Sequence, residues 1–245
     1  LMLHVLPPPA VVSWNKIPAS LVPAGLGTVV QCDAGYGFSI AALSDGSVRT
    51  WGTTDASLVP PARLADVVAV AAGNGFALAL RANGTVVAWG NAAVASQLPP
   101  GLQNVVAIDA GINHAVALRA DGSVIGWGSS AIANAPSGFI RQVVSAGRYA
   151  LGLRWDGQVH AWGNDVPASP PGNLNGVVKL AASETHALAL RSDGTVIAWG
   201  QNARGQLDVP ATLTDAVDVA CGYEYSVALR RNGEVVLWGQ PEVPL

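Results

Sequence analysis

One string constrains the fold more than any other feature: Ala187-Leu188-Ala189-Leu190-Arg191-Ser192-Asp193-Gly194-Thr195-Val196-Ile197-Ala198-Trp199-Gly200. Close copies of it end at Trp51-Gly52, Trp89-Gly90, Trp127-Gly128, Trp162-Gly163 and Trp238-Gly239, and a fragment survives as Val11-Val12-Ser13-Trp14-Asn15. A unit of this size cannot bury its own faces, so its copies must stack on one another, and the chain reads as a repeat protein.

Within the unit, two runs of alternating apolar residues flank Asp-Gly or Asn-Gly. Alternation with period two buries one face of a strand, and Asp-Gly and Asn-Gly tolerate the positive φ of a tight hairpin. The turns fall at Asp45-Gly46, Asn83-Gly84, Asp121-Gly122, Asp156-Gly157, Asp193-Gly194 and Asn232-Gly233. A third apolar run precedes each hairpin, as in Val67 to Gly73 or Ala216 to Gly222, so each repeat supplies three strands. Successive tryptophans from Trp51 are 38, 38, 35, 37 and 39 residues apart, a period of about 37. Full repeats run approximately over 26–52, 64–90, 102–128, 139–163, 174–200 and 213–239, after a lead-in of residues 1–25 that holds one further strand, Val11 to Trp14.

The linkers after each Trp-Gly are rich in proline, which argues against a central strand. After three strands the chain lies at the far end of the sheet from the start of the next repeat. The linker therefore has to return along the blade as an irregular outer edge, where proline blunts sheet-to-sheet association. Small sheets repeated radially form a β-propeller. The expectation is an all-β propeller, a single domain over 1–245, with six complete blades and one extra N-terminal strand in a six- or seven-blade ring.

A composition half apolar and 12% charged suits many buried sheet faces, while a net charge of −3 leaves no basic footprint for nucleic acid. The longest apolar stretch, Val67 to Leu80, is broken by Gly73-Asn74-Gly75 and reads as two strands, so neither a spanning helix nor a membrane partner is expected. Leu1 to Val12 lacks the basic start and cleavage site of a signal peptide, and the chain reads as a piece of a larger polypeptide. Cys32 and Cys221 match no disulfide framework and no zinc spacing.

The strings Ala-Gly, then two variable positions, His-Ala-Leu-Ala-Leu, Asp-Gly-Thr-Val and Ala-Trp-Gly resemble the repeats of the regulator of chromosome condensation family. The short period is most similar to its bacterial branch, which includes inhibitors of secreted β-lactamases. The resemblance covers Val11 to Gly239. It implies a propeller that binds proteins without enzymatic activity, in an exported or cell-surface bacterial setting, with inhibition of a secreted enzyme as the sharper form. The fuller motif after Trp-Gly is met by Gln201-Asn202 and Gly205-Gln206-Leu207 alone.

A glycan-processing enzyme or carbohydrate-binding propeller is the alternative, and would need convergent carboxylates at the axis. Asp45, Asp121, Asp156 and Asp193 occupy one hairpin position in different blades, where Asn also serves, so they read as turn residues. His114 and His186 share a slot filled elsewhere by Phe38, Phe76 and Tyr225, which suits a scaffold and not a metal or acid–base role. No catalytic residue, metal or cofactor is expected.

Residues that the repeat does not explain point to a protein partner. Between its first and second strands each blade presents two free positions, which single out Tyr36, Asn74, Asn113, Arg148, Tyr149, Glu184, Tyr223 and Glu224. These loops are expected to share a face with the residues just past Trp-Gly, among them Asn202 and Arg204. Tyr and Arg dominate interface hot spots. Trp155, on the opposite face, stands where other blades carry Ser44, Ala82, Ala120 or Ser192 and reads as a further contact residue.

Six repeats either close as six blades or fill six places of a seven-place ring. An open blade leaves apolar faces wet at about 1.5–3 kcal/mol for each Val or Leu side chain, which favours a closed or nearly closed ring, with Cys32 and Cys221 on neighbouring strands.

Overall fold

The computed structural model describes residues 22–240 except 130–131, 133–134, 136–137, 165–168 and 173, together with two short strands near the N-terminus. Those strands, β1 (Val5–Leu6) and β2 (Ala10–Val11), pair antiparallel across Pro7-Pro8-Pro9 as a sheet of their own. Val11 therefore pairs with Val5 and not with a blade; the rest of the expected strand, to Trp14, lies outside the described residues.

Six three-stranded antiparallel blades follow. Blade 1 is β3 (Val29–Ala34), β4 (Ser39–Leu43) and β5 (Val48–Trp51); blade 2 is β6 (Val67–Ala72), β7 (Phe76–Arg81) and β8 (Val86–Gly90); blade 3 is β9 (Val105–Ala110), β10 (His114–Arg119) and β11 (Val124–Gly128). Blade 4 is β12 (Ile140–Ala146), β13 (Tyr149–Arg154) and β14 (Val159–Gly163); blade 5 is β15 (Val177–Ala182), β16 (His186–Arg191) and β17 (Val196–Gly200); blade 6 is β18 (Ala216–Cys221), β19 (Tyr225–Arg230) and β20 (Val235–Gly239).

The hairpin between second and third strands is held as its sequence demands. In the blade 3 turn Gly122 has φ +80°, and the Asp121 carboxylate accepts from Ser123 N at 2.9 Å and Ser123 Oγ at 2.6 Å. Asp45, Asp156 and Asp193 accept likewise from the main chain two residues on, and so do Asn83 and Asn232. Hydrogen bonds from the Ser or Thr hydroxyl and main chain hold Asp45, Asp121 and Asp193 below the usual carboxylate range. These are turn residues.

Each first strand carries a bulge after its first residue: Val67 pairs with Arg81 and Ala69 with Leu80, so Val68 is skipped and turned outward. The equivalent bulge residues are Val30, Val106, Arg141, Val178 and Val217.

The middle strand of each blade explains the stacking. Along β7, Phe76, Leu78 and Leu80 face blade 3, while Ala77 and Ala79 face blade 1. A large face thus enters the small face of the next blade, where that blade's tryptophan completes the layer: Ile40 and Phe38 meet Trp89, and Leu151 and Leu153 meet Trp199. The linkers return as outer edges, but along the outer strand of the following blade rather than of their own, and four of them anchor there through described residues. Leu58, Val94 and Ile132 are buried, and the Leu58 carbonyl accepts from Trp89 Nε1 at 3.1 Å, as the Gln206 carbonyl does from Trp238 Nε1 at 2.9 Å.

The joint between blade 6 and blade 1 differs. No strand of blade 6 is packed on a strand of blade 1 beyond marginal contact, although every consecutive pair of blades is packed closely. Tyr225 and Leu229, on the large face of blade 6, stay half-buried, whereas Phe76 and Leu80 are buried at the same positions. The expectation that the last blade abuts the first is therefore not met among the described strands. Large-on-small packing fixes the rotation at each joint, and five such joints leave the last large face and the first small face apart. β3 and β18, with Cys32 and Cys221, are not packed together, and both thiols are free.

Candidate functional site

Antiparallel pairing brings the loops between first and second strands to the same face as the chain leaving each Trp-Gly. Asn91 N donates to Gly75 O at 2.7 Å, Ser129 N to Asn113 O at 3.1 Å, Asn164 N to Arg148 O at 2.9 Å, Gln201 N to Thr185 O at 2.9 Å and Gln240 N to Glu224 O at 3.1 Å. Neighbouring loops are laced too: Tyr36 N donates to Gly73 O, Ile112 N to Gly147 O and Thr185 Oγ1 to Tyr223 O. The predicted shared face exists, and its loops are held by main-chain bonds.

On it Tyr36 is 82% and Tyr223 61% exposed, and Asn74, Asn113, Arg148 and Glu184 are exposed beside them. Glu224 is half-buried and pairs with Arg204 at 3.3 Å, while Arg204 Nη1 donates to Gln240 Oε1 at 2.9 Å. Asn202 braces its own linker: its amide donates to Asp208 Oδ1 at 2.9 Å and its carbonyl oxygen accepts from Leu207 N at 2.8 Å. Arg204 and Asn202 therefore position the linker against blade 6.

Tyr149 is a correction. Its side chain is fully buried, and its hydroxyl donates to Ser183 O in blade 5 at 2.7 Å. The loop of blade 4 is one residue shorter than the others, so Tyr149 fills the slot of Phe76 and His114 and is no part of the surface. Burial pushes its phenol well above the usual range.

The two histidines in that slot are scaffold, as expected. His114 Nε2 meets Ser145 Oγ of blade 4 at 2.5 Å, and His186 Nε2 meets Ser226 Oγ of blade 6 at 2.8 Å. Burial lowers both to about 4, which keeps the imidazoles neutral across the joints.

Trp155 projects from the far face, 73% exposed. Sequence reasoning missed its neighbours there, Phe139 and Arg141; the available signal was their departure from the small or aliphatic residues of the other repeats.

Toward the axis, the described first strands carry three carboxylates not singled out from the sequence: Asp33, Asp109 and Asp218, the last accepting from Val219 N and paired with Lys179 of blade 5. Asp33 accepts from Ala34 N and from Ala72 N of blade 2, both at 2.8 Å; Asp109 accepts from Ala110 N at 2.8 Å and from Ser145 N of blade 4 at 2.7 Å. Burial pushes Asp109 up to about 8, with the Asp33 carboxylate raising it further, and burial raises Asp33 as well. In both, one oxygen accepts from the main chain of its own blade and the other from that of a neighbouring blade. Gln31 and Gln142 act alike, bonding Val70 N and Leu180 N. Among the described residues no group of three or more His, Cys, Asp or Glu side chains could hold a metal ion.

The fold and its laced loop face define a β-propeller of six three-stranded blades that presents a rigid, chemically varied surface. Three of its blades match the family model of the regulator of chromosome condensation (RCC1) repeat, over residues 67–92, 105–131 and 177–206, and the chain carries repeats of that family. Among solved structures it is similar to the Crinkly ectodomain of the Arabidopsis thaliana receptor kinase ACR4, at 19% identity and TM-score 0.68, covering 88% of this chain and 82% of that one. Human WBSCR16 gives 18% and 0.69, covering 94% and 78%. Prp20p of Saccharomyces cerevisiae, described with its binding to Gsp1p and histones, gives 18% and 0.68, covering 89% and 73%. At such identities the likeness is one of fold. No curated protein matches the chain in sequence.

Proposed function

We propose that the chain is a non-enzymatic module that binds a protein partner through its loop face. The observation that carries the reading is the pair Tyr36 and Tyr223, large aromatics held mostly in solvent on a face whose loops are braced by main-chain bonds. Exposed aromatics with Arg148 and Glu184 alongside have the composition of an interface centre, and a rigid backbone lowers the ordering cost of association. The likeness to Prp20p, a binder of Gsp1p and histones, supports a protein as the partner. An exported setting and inhibition of a secreted enzyme belong to the same proposal, through the resemblance to the short-repeat branch.

A glycan site at the axis is the competing reading. It needs two carboxylates free to act on a substrate, whereas Asp33 and Asp109 have both oxygens bonded to main-chain donors and Asp218 accepts from Val219 N and pairs with Lys179. The binding reading is preferred on that ground.

The test is a titration with a partner isolated on the immobilised chain. Replacing Tyr36, Arg148 and Tyr223 together by Ala should weaken binding by at least about 2 kcal/mol, the scale of interface hot spots, with an unchanged far-ultraviolet spectrum. Retained affinity would move the site off this face.

A further inference from the structure

The repeat supplies its own control for every surface position, because five blades show what the scaffold alone requires. At the hairpin end, the residue before the first strand accepts a main-chain bond from the turn residue of the same blade. The pairs are Ser44 with Thr28, Ala82 with Asp66, Ala120 with Asn104, Trp155 with Phe139, Ser192 with Gly176 and Arg231 with Asp215. In five blades both members are small or polar. In blade 4 both are large aromatics, Phe139 71% and Trp155 73% exposed, side by side through Trp155 N to Phe139 O at 3.2 Å.

The bulge residue departs in the same blade. It is an exposed valine in the other five and Arg141 in blade 4, with its guanidinium 5.9 Å from the centroid of the Trp155 ring. Three positions scattered between 139 and 155 thus break the pattern together, and Phe139 and Arg141 each meet Trp155.

The joint beneath them is also altered. Elsewhere the hairpin glycine accepts from the first strand of the next blade: Val67 N to Gly46 O, Val105 N to Gly84 O, Ile140 N to Gly122 O and Ala216 N to Gly194 O, at 3.0–3.1 Å. Val177 makes no such bond to Gly157. A Cβ at Gly157 would meet nothing within 4 Å, whereas Gly46, Gly84, Gly122 and Gly194 are all closely covered by the next blade. Arg141 spans the opening instead, donating to Val177 O at 2.7 Å and to Arg154 O at 3.3 Å. Its charge is matched by carbonyls alone: Arg141 and Arg119, the latter on the adjoining hairpin of blade 3, make no ion pair among the described residues, and Arg154 pairs with Asp156.

We propose that Phe139, Arg141 and Trp155 form a second docking surface, on the hairpin face of blade 4, for an acidic protein segment that sets an apolar side chain on the aromatic pair and a carboxylate on Arg141. The fit rests on charge: the Arg141 guanidinium lies by the Trp155 ring and makes no ion pair among the described residues, and the uncovered hairpin at Gly157 gives an extended segment room beside them. A nucleic acid is disfavoured by the chain's net charge of −3. The surface lies on the opposite side from the loop face and does not depend on that site.

The test uses fluorescence anisotropy with a short labelled peptide of glutamates interspersed with leucines, beside versions carrying glutamine or lysine for every glutamate. The variant F139N/R141V/W155S gives blade 4 residues that other blades carry at those positions, so its fold is expected to hold, and unchanged circular dichroism checks it. The wild type should bind the glutamate peptide saturably, with affinity falling as salt rises, and the variant should lose at least about tenfold, equivalent to 1.4 kcal/mol. Replacing Tyr36, Arg148 and Tyr223 by Ala should leave this binding unchanged, which separates the two surfaces. Equal binding by wild type and variant, no saturable binding of the glutamate peptide, or preference for the lysine peptide or for single-stranded DNA would each overturn the proposal. So would a concentration-dependent mass in light scattering that the variant abolishes, since the occupant would then be a second copy of this chain.

Discussion

Asp109 shows how one side chain can set a measurable property of the whole chain. Burial holds its carboxyl at about 8 against an ordinary 3.8, so across that interval the folded chain keeps a proton that the unfolded chain has released. Stability from this group is therefore greatest at low pH and is lost as pH rises, the loss being complete above about 8. His114 and His186 act in the opposite sense, since burial lowers them from 6.5 to about 4 and their contribution grows with pH over that interval. Above pH 6.5 the histidines add nothing further. The denaturation midpoint should accordingly fall between pH 6.5 and 8, and Asp109→Asn should reduce that slope. A flat wild-type profile there would contradict the environment described for Asp109.

At the scale of the element, the blades were legible in the sequence because each was marked twice over, by period-two alternation and by Asp-Gly or Asn-Gly turns, and six copies in register leave little freedom. Side-chain roles at the ends of strands were less legible. Counted forward from Gly147, Tyr149 falls in the loop; counted backward from Ala150-Leu151, it falls in the slot that packs across the joint. A loop shorter by one residue decides between the two. Tyr149→Phe should cost about 0.5–1.5 kcal/mol through the lost bond to Ser183 O and leave partner binding intact. A loss of binding with unchanged stability would return this residue to the surface. Phe139 and Arg141 escaped notice for a related reason: a residue before a strand and a bulge residue have no periodic partner, and their exceptional character appears only when all six bulges are aligned.

For the whole molecule, the stacking direction follows from large faces entering small ones, which leaves blade 6 with a large face that no other blade covers. The amides of β19 should exchange with deuterium faster than those of β7, β10, β13 and β16, and equal protection would mean that blades 6 and 1 meet in solution. The count of blades and their order came from the repeat, but the state of this joint depends on the rotation at each interface, which no single repeat encodes. The central claim is that this scaffold presents its loop face to a protein. The most direct measurement is hydrogen–deuterium exchange of the chain with and without its isolated partner. Protection gathered in the loops around Tyr36, Asn74, Asn113, Arg148, Glu184 and Tyr223, with the hairpins of blades 1, 2, 3, 5 and 6 unchanged, is the predicted result; protection confined to the hairpins, or none on the loop face at saturating partner, would contradict it.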